Sequence, residues 1–106
     1  MIVERLSFRA QYGRGDQLVG LFKEWAQMMG PKARELGVTG MRIYTDATGP
    51  MFSVQVESEF AGWPEYGRYM SAESEMYGDA AFQQWFARMT ECTESGDRQL
   101  FNVESV

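Results

Sequence analysis

Residues 49–60 read GPMFSVQVESEF, and this stretch decides how the rest of the chain has to be arranged. Gly49 and Pro50 predict a turn, and the alternation of apolar and polar residues after them predicts a strand with two unlike faces. One face carries Phe52, Val54, Val56 and Phe60, and the other carries Ser53, Gln55, Glu57 and Glu59. The helices of a small domain can cover one such face, so the fold depends on what covers the other.

Length and composition limit the class of protein. The 106 residues predict one domain spanning residues 1–106, which is long enough to bury a single core. Hydrophobic residues make up 44% and charged residues 24%, which is typical of soluble globular proteins. The formal net charge of -5 and the lack of a basic cluster weigh against nucleic acid and anionic lipid surfaces as partners.

The cysteine count and the N-terminal residues indicate the compartment. Cys92 is the only cysteine, so an intrachain disulfide is impossible and a reducing compartment is expected. The polar neighbours of Cys92 predict a thiol that is at the surface or half-buried. Glu4, Arg5 and Arg9 interrupt any apolar run near the N-terminus, which weighs against a signal peptide or a membrane span. We therefore expect a cytoplasmic protein with no membrane partner.

Hydrophobic periodicity predicts three elements before residue 49. They are a strand over residues 2–10, a helix that Asp16 caps and Gly30-Pro31 stops or kinks, and a strand over residues 40–45. Pro31 is suited to begin a further helical turn through Leu36, which Gly37 would end. Glu4 interrupts the apolar side of the first strand. The strand over residues 40–45 is expected to form a hairpin with the strand that follows residue 49.

The second half of the chain predicts two helices and a last strand. The first is a short helix containing Trp63, Tyr66 and Met70, and a looser stretch follows it over residues 71–78. The second helix is capped by Asp79, and its apolar face carries Phe82, Trp85, Phe86 and Met89. The last strand is predicted over residues 98–104. Pro64 is compatible with the first of these helices because it falls in the first turn.

The element order β-α-β-β-α-β is that of an α+β, ferredoxin-like fold, an antiparallel sheet with helices packed on one face. The helices most simply cover the face that carries Leu6, Val54 and Val56. A second copy of the chain is the natural cover for the opposite face, so we predict a homodimer. An exposed polar face in a monomer is the alternative, but Val3, Met51 and Tyr44 add apolar area to that face.

Most of the chain resembles the NIPSNAP-like branch of the dimeric α+β barrel superfamily, which also contains antibiotic-biosynthesis monooxygenases. The matching features are Val3-Glu4 in the first strand, Gly40 at the second, Gly49-Pro50 before the third, and Asp79, Phe82 and Trp85 in the late helix. The resemblance implies two sheets packed face to face in a dimer. Family members often carry a His and Trp pair in the third strand, where this chain has Gln55 to Ser58, and this departure weighs against transferring an activity.

The sequence contains no histidine, which excludes several chemistries. Haem-degrading relatives in the superfamily use an axial histidine, and histidine is the commonest general base and metal ligand near neutral pH. Catalysis by Ser-His-Asp or Cys-His groups is excluded as well, and no Cys or His cluster could bind zinc. We therefore expect no metal site and no cofactor, and no set of catalytic residues is recognisable.

Polar side chains on the less covered face form the first candidate ligand site. They are Arg5, Arg42, Tyr44, Gln55 and Glu57. The two arginines could hold an anionic ligand, with the tyrosine as a proton donor or a stacking surface. The alternative, which is the commoner role of such groups, is that they form cross-strand ion pairs or hydrogen bonds in a dimer interface.

Aromatic residues between the sheet and the helices form the second candidate site. They are Trp63, Tyr66, Tyr69, Tyr77 and Trp85, and superfamily oxygenases that need no cofactor bind aromatic substrates in a pocket of this kind. The alternative is that these side chains simply fill the core, which is the commoner role of aromatic residues at helical spacing.

Three functions remain open. The protein could bind a small organic or aromatic molecule without converting it, or act as a cofactor-independent monooxygenase or isomerase with Tyr44, Arg42 and Glu57 as acid, anion clamp and base. It could also be a structural or protein-interaction module. A cavity of about 300 Å³ or more beside the aromatic residues would favour the first two functions. A glutamate of raised pKa in that cavity would favour the enzyme.

Overall fold

The computed structural model describes residues 1–106 and contains four strands and three helices. The elements are β1 (Ile2–Ala10), α1 (Gly15–Glu35), β2 (Val38–Thr45), β3 (Ser53–Phe60), α2 (Trp63–Met76), α3 (Ala80–Glu91) and β4 (Thr93–Asn102). The strands form one sheet in the order β2-β3-β1-β4, and all neighbouring strands are antiparallel. The predicted α+β, ferredoxin-like fold is therefore confirmed.

The sheet has an inner face, which packs on the helices, and an outer face, which nothing in the chain covers. Leu6 pairs with Val56, and Val56 pairs with Ile43, so these three side chains form one row on the inner face. The core cluster joins this face to α1 and α3 through Leu18, Leu21, Phe22, Phe82, Trp85 and Met89. The prediction that the helices cover the face with Leu6, Val54 and Val56 is confirmed.

Helix α1 differs from the prediction at its start and agrees with it at its end. Arg14 occupies the N-cap position without a side-chain hydrogen bond, and Asp16 lies in the first turn, so the cap predicted at Asp16 is wrong. The helix does not stop at Pro31 but continues to the predicted end before Gly37, because Met29 and Ala33 on either side of the proline are buried and hold the backbone helical by packing. Neither α1 nor any other helix is both long and apolar enough to cross a membrane.

Helix α2 is longer than predicted, since it runs on to Met76 through most of the stretch expected to be loose. Ser71, Ser74 and Glu75 of that stretch lie on the exposed side of the helix, and an exposed helix face has the same composition as a loop. Helix α3 follows the prediction more closely, because the Asp79 side chain accepts a hydrogen bond from the Ala81 N–H. Phe86, however, is 46% exposed rather than part of the buried face.

Strand β4 begins at Thr93, five residues before the predicted start, and ends at Asn102. Gly96 lies in the part of β4 that was not predicted as a strand, and it is opposite Phe8 in the ladder. A Cβ at Gly96 would come within 2.7 Å of the Phe8 ring, so glycine is what lets that ring lie across the strand. Cys92, just before β4, is fully buried, so the prediction of a surface or half-buried thiol is wrong.

Candidate functional site

A cavity of about 360 Å³ lies between the inner face of the sheet and the helices. Every element except β2 contributes to its lining. Tyr77, Phe86 and Arg98 line it and are exposed, so its opening lies where the ends of the helices approach β4. The volume exceeds the roughly 300 Å³ at which small-molecule sites begin.

Aromatic residues are eight of the 17 that line the cavity. They include Phe8, Phe22, Trp25, Phe82, Trp85 and Phe86. Trp85 is at the centre of this group, with ring centroids 5.5 Å from Phe22 and 5.9 Å from Phe82. Its indole N–H donates a hydrogen bond of 2.7 Å to the Leu21 carbonyl, which fixes the ring. The wall is therefore apolar and held in place by its own packing.

Glu4 is the buried acidic group of the cavity and is only 5% exposed. Its Oε2 atom accepts a hydrogen bond of 2.8 Å from the Tyr66 hydroxyl and lies 3.4 Å from Arg98 Nε. Its Oε1 atom has no hydrogen-bond partner in the chain. Since every fully buried side-chain oxygen or nitrogen has a partner, Oε1 retains access to the cavity. One oxygen is thus held by the protein, and the other is free for a ligand.

Burial raises the pKa of Glu4 above the usual range of a glutamate. The hydrogen bond from Tyr66 and the charge of Arg98 lower this pKa, and the charge of Glu73 adds to the rise. Burial and the Glu4 carboxylate together raise the pKa of Tyr66 to about 12. Tyr66 therefore remains protonated near neutral pH and continues to donate its hydrogen bond to Glu4.

Glu73 is the second carboxylate on the cavity wall, and tyrosines surround it. The Tyr77 hydroxyl donates a hydrogen bond of 3.1 Å to Glu73 Oε1. Burial, followed by the charge of Glu73, raises the pKa of both Tyr69 and Tyr77. Their hydroxyls therefore stay protonated and act as hydrogen-bond donors. No three acidic or cysteine side chains come close enough together to hold a metal ion.

The first set of predicted site residues lies together on the outer face, outside the cavity. Arg5 donates two hydrogen bonds to Glu57 Oε2, at 3.0 and 2.9 Å, and Tyr44 donates one of 3.2 Å to Oε1. Arg42 pairs with Glu57 across the β2–β3 ladder, and Gln55 pairs with Tyr44. The Glu57 carboxylate is thus occupied by its neighbours, as in the alternative of cross-strand pairs.

The structure divides the second set of predicted residues. Tyr69, Tyr77 and Trp85 line the cavity, whereas Tyr66 reaches it only through its bond to Glu4. Trp63 is 52% exposed at the start of α2 and packs on Tyr66. Glu4 was missed as a site residue, although the signal was present, because it is a charged residue at a position where β1 should be apolar.

Comparisons with known structures agree with this fold. A NIPSNAP domain protein from Burkholderia xenovorans is 13% identical with a TM-score of 0.74, and the match covers 99% of this chain and 96% of that one. A dimeric ferredoxin-like protein from an uncultured marine organism is 8% identical with a TM-score of 0.76, over 99% and 90% of the chains. A variant of SnoaB, a cofactor-independent oxygenase from Streptomyces nogalater, is 11% identical with a TM-score of 0.69, over 99% and 94%.

The classes of these neighbours are those that the sequence resemblance named, so the resemblance is confirmed at the level of the fold. At such low identities, the likeness assigns no role to any residue of this chain. No protein-family model matches the sequence, and no curated protein is similar to it.

Proposed function

We propose that the protein is a homodimer that binds a small organic molecule with an aromatic or other apolar body in the cavity beside Glu4. The observation that carries this proposal is the cavity itself, about 360 Å³ of space in a domain of this size, with walls of aromatic rings. A structural module would fill that space with its own side chains, because unfilled apolar cavities cost stability. Glu4 Oε1 supplies the polar contact that would orient the ligand.

The test is to look for a bound compound and then to fill the cavity. The purified protein is extracted under denaturing conditions, and mass spectrometry identifies any small molecule released. In parallel, thermal unfolding is measured against a set of small aromatic compounds. Leu6→Trp places a large ring in the cavity, and Gln84→Trp places the same ring on the exposed side of α3.

We expect compounds that raise the unfolding temperature of the wild type and of Gln84→Trp, but not of Leu6→Trp. Equal shifts in both variants would assign the binding to another surface. If no compound is bound or raises the unfolding temperature, the structural alternative is correct.

The outer face of the sheet is the proposed interface of the homodimer. Val3 and Phe101 pair across the β1–β4 ladder, and Phe101 and Tyr44 are each 39% exposed on this face. A second sheet would bury these apolar groups together with the Arg5–Glu57 pair. One neighbour in fold is itself described as dimeric. Light scattering over a dilution series should give twice the chain mass, and a monomer at all concentrations would contradict the proposal.

A second candidate function is a cofactor-independent isomerase or monooxygenase, which the raised pKa of Glu4 favours. Glu4 would take a proton from an apolar substrate, and in an isomerase it would return that proton to another atom of the same molecule. Tyr44, Arg42 and Glu57 would have no part in this step, because they lie on the other face of the sheet.

The test of this candidate is deuterium exchange at the carbon next to the carbonyl of 1-indanone, followed by NMR. Wild-type protein should accelerate the exchange, and Glu4→Gln should abolish the acceleration. Equal rates for the two proteins would remove the enzyme candidate without affecting ligand binding.

We also propose a cytoplasmic location. It is supported by the single cysteine, Cys92, which is buried and unpaired and so gives no sign of an oxidising compartment.

A further inference from the structure

The charges around the cavity decide which small molecules it can accept. Three charged side chains reach the cavity from its walls, namely Glu4, Glu73 and Arg98. Asp97 also lines it, but Asp97 pairs with Ser7 in the ladder, so its side chain lies on the outer face and only its backbone reaches the cavity. The cavity is therefore surrounded by two carboxylates and one guanidinium group.

These charges do not balance. Arg98 Nε lies 3.4 Å from Glu4 Oε2, so the only cation on the wall already has a carboxylate partner. The Tyr77 hydroxyl, which bonds Glu73, carries no charge. The excess charge is therefore negative and is placed beside low-dielectric aromatic walls, where electrostatic interactions are stronger than in water. An anionic ligand would face two carboxylates, whereas a cationic ligand would supply the missing positive charge.

The geometry around Glu4 leaves one acceptor open for such a charge. Tyr66 and Arg98 both hold Oε2, whereas Oε1 has no partner and keeps access to the cavity. Glu4 is 5% exposed, so water reaches this oxygen only to a small extent. A carboxylate oxygen with so little access to water gains from a charged partner, and a charged N–H or an alkylammonium group of a ligand would supply one.

The aromatic walls favour the same kind of ligand. Tryptophan is the aromatic side chain that best attracts a cation over its ring, and both Trp25 and Trp85 line the cavity. Their ring centroids are 6.4 Å apart with an interplanar angle of 43°, so the two rings form adjoining walls. The formal charge of -5 on the whole chain would also draw cations toward it.

We propose that the ligand of this cavity is an organic cation, a protonated or quaternary amine on an apolar body, with its nitrogen beside Glu4 and Glu73 and against the rings of Trp25 and Trp85. The apolar body then occupies the space between Phe8, Phe22 and Phe82. This assignment rests on the proposed function, because it names the class of molecule that the cavity binds. It differs from the anionic ligand predicted for the outer face, where Arg5 is already paired with Glu57.

The test compares three probes of one size that differ in charge. They are benzyltrimethylammonium, its neutral isostere neopentylbenzene, and the anion 3-phenylpropionate. Trp63→Phe removes the tryptophan outside the cavity, so the fluorescence of that variant reports on Trp25 and Trp85 alone. We expect the ammonium to bind about tenfold more tightly than the isostere, and the anion more weakly than either.

Single substitutions test whether the preference for the ammonium probe comes from the carboxylates of the cavity. Glu73→Gln should weaken binding of the ammonium about fivefold to tenfold and leave the neutral isostere unchanged, and Glu4→Gln should act in the same direction. Glu75→Gln is the matched control, since Glu75 lies on α2 two residues from Glu73 but is exposed and outside the cavity. It should change neither affinity.

The outcomes separate the two proposals. If the isostere or the anion binds as tightly as the ammonium, the cation proposal is wrong and the cavity remains a ligand site. If Glu75→Gln weakens the ammonium as much as Glu73→Gln does, the attraction comes from the overall charge and the site assignment is wrong. If none of the three probes binds, the ligand-binding function fails, and the cation proposal fails with it.

Discussion

The two faces of the sheet treat their carboxylates differently. On the outer face, Glu57 receives hydrogen bonds from Arg5 and Tyr44, so its charge is answered by adjacent strands. On the inner face, only one oxygen of Glu4 has partners, which are Tyr66 from α2 and Arg98 from β4. Its other oxygen has access to a cavity. Both oxygens of Glu57 are hydrogen-bonded to neighbouring side chains, whereas one oxygen of Glu4 can still accept a hydrogen bond.

The contrast shows that the density of polar residues does not indicate where a carboxylate keeps a free acceptor. The outer face has more charged and polar side chains, but the carboxylate at its centre, Glu57, is bonded to Arg5 and Tyr44, as cross-strand pairs commonly are. The inner face has few, and one of them keeps a free acceptor in an apolar surrounding. Such an unbalanced group is where binding energy can be gained.

The greatest change in stability is expected at the aromatic wall of the inner face. Trp85→Ala should lower the free energy of unfolding by about 3–5 kcal/mol, because it opens a buried space and removes the bond to the Leu21 carbonyl. Urea denaturation followed by circular dichroism measures this loss. Trp63→Ala is the control, since Trp63 is 52% exposed, and it should cost less than about half as much. Equal losses would mean that the inner wall is not a packed structure.

The next effect concerns the outer face. If a second sheet covers it, Phe101→Asp places a charge in an apolar contact and should raise the dimer dissociation constant about 100-fold, or about 2.7 kcal/mol. Light scattering over a dilution series measures the change. Gln84→Asp adds the same charge on the exposed side of α3 and should leave the dimer intact. A dimer unaffected by Phe101→Asp would use a different surface.

A smaller effect concerns the packing of Phe8 on β4. Gly96→Ala should lower the free energy of unfolding by about 1–3 kcal/mol, because the new Cβ would lie 2.7 Å from the Phe8 ring. Gly20→Ala is the matched control, since nothing lies within 4 Å of a Cβ at this position of α1. It should stabilise the protein by about 0.5–1 kcal/mol through helix propensity. A neutral Gly96→Ala would show that the inner face is loosely packed.

The smallest expected effect is a difference in how the stabilities of Glu4→Gln and Glu57→Gln depend on pH. The pKa of Glu4 is raised by folding, so the folded state favours the protonated form, and stability falls as the pH rises from about 4.3 through the folded pKa. The Glu4→Gln variant has no carboxyl group to ionise at this position, so it lacks this pH-dependent loss of stability. The difference in free energy of unfolding between the variant and the wild type should therefore favour the variant more at pH 7 than at pH 4. The groups that face Glu4 are Tyr66, Arg98 and Glu73.

Urea denaturation at a series of pH values measures the difference. Glu57→Gln should instead be less stable than the wild type at pH 7, by about 1 kcal/mol or less, because it weakens the pair with Arg5. If both variants follow the same trend with pH, the two carboxylates are in equivalent environments and the comparison between the faces is wrong.

The elements and the two faces of the sheet could be predicted from the sequence, because periodicity of two in a strand and of about 3.6 in a helix is a local property. The alternation after Gly49 placed Val54 and Val56 inward and Glu57 outward, as the ladder has them. Local composition was less informative where a loop and an exposed helix face share it, so the polar end of α2 was predicted as a loose stretch. The start of β4 around Gly96 was not predicted as a strand.

The role of Glu4, in contrast, is set by tertiary packing. From the sequence it is a charged residue that interrupts an apolar side, and nothing near it in the chain identifies its partners. Tyr66 is 62 positions away, and Arg98 comes from the opposite end of the chain. Side chains so distant meet only when the sheet has formed in the order β2-β3-β1-β4 and α2 has packed against it. The cavity and its excess negative charge result from that packing. The partners and the pKa of a carboxylate depend on how deeply it is buried and on which groups lie beside it, and the residue type alone does not give these.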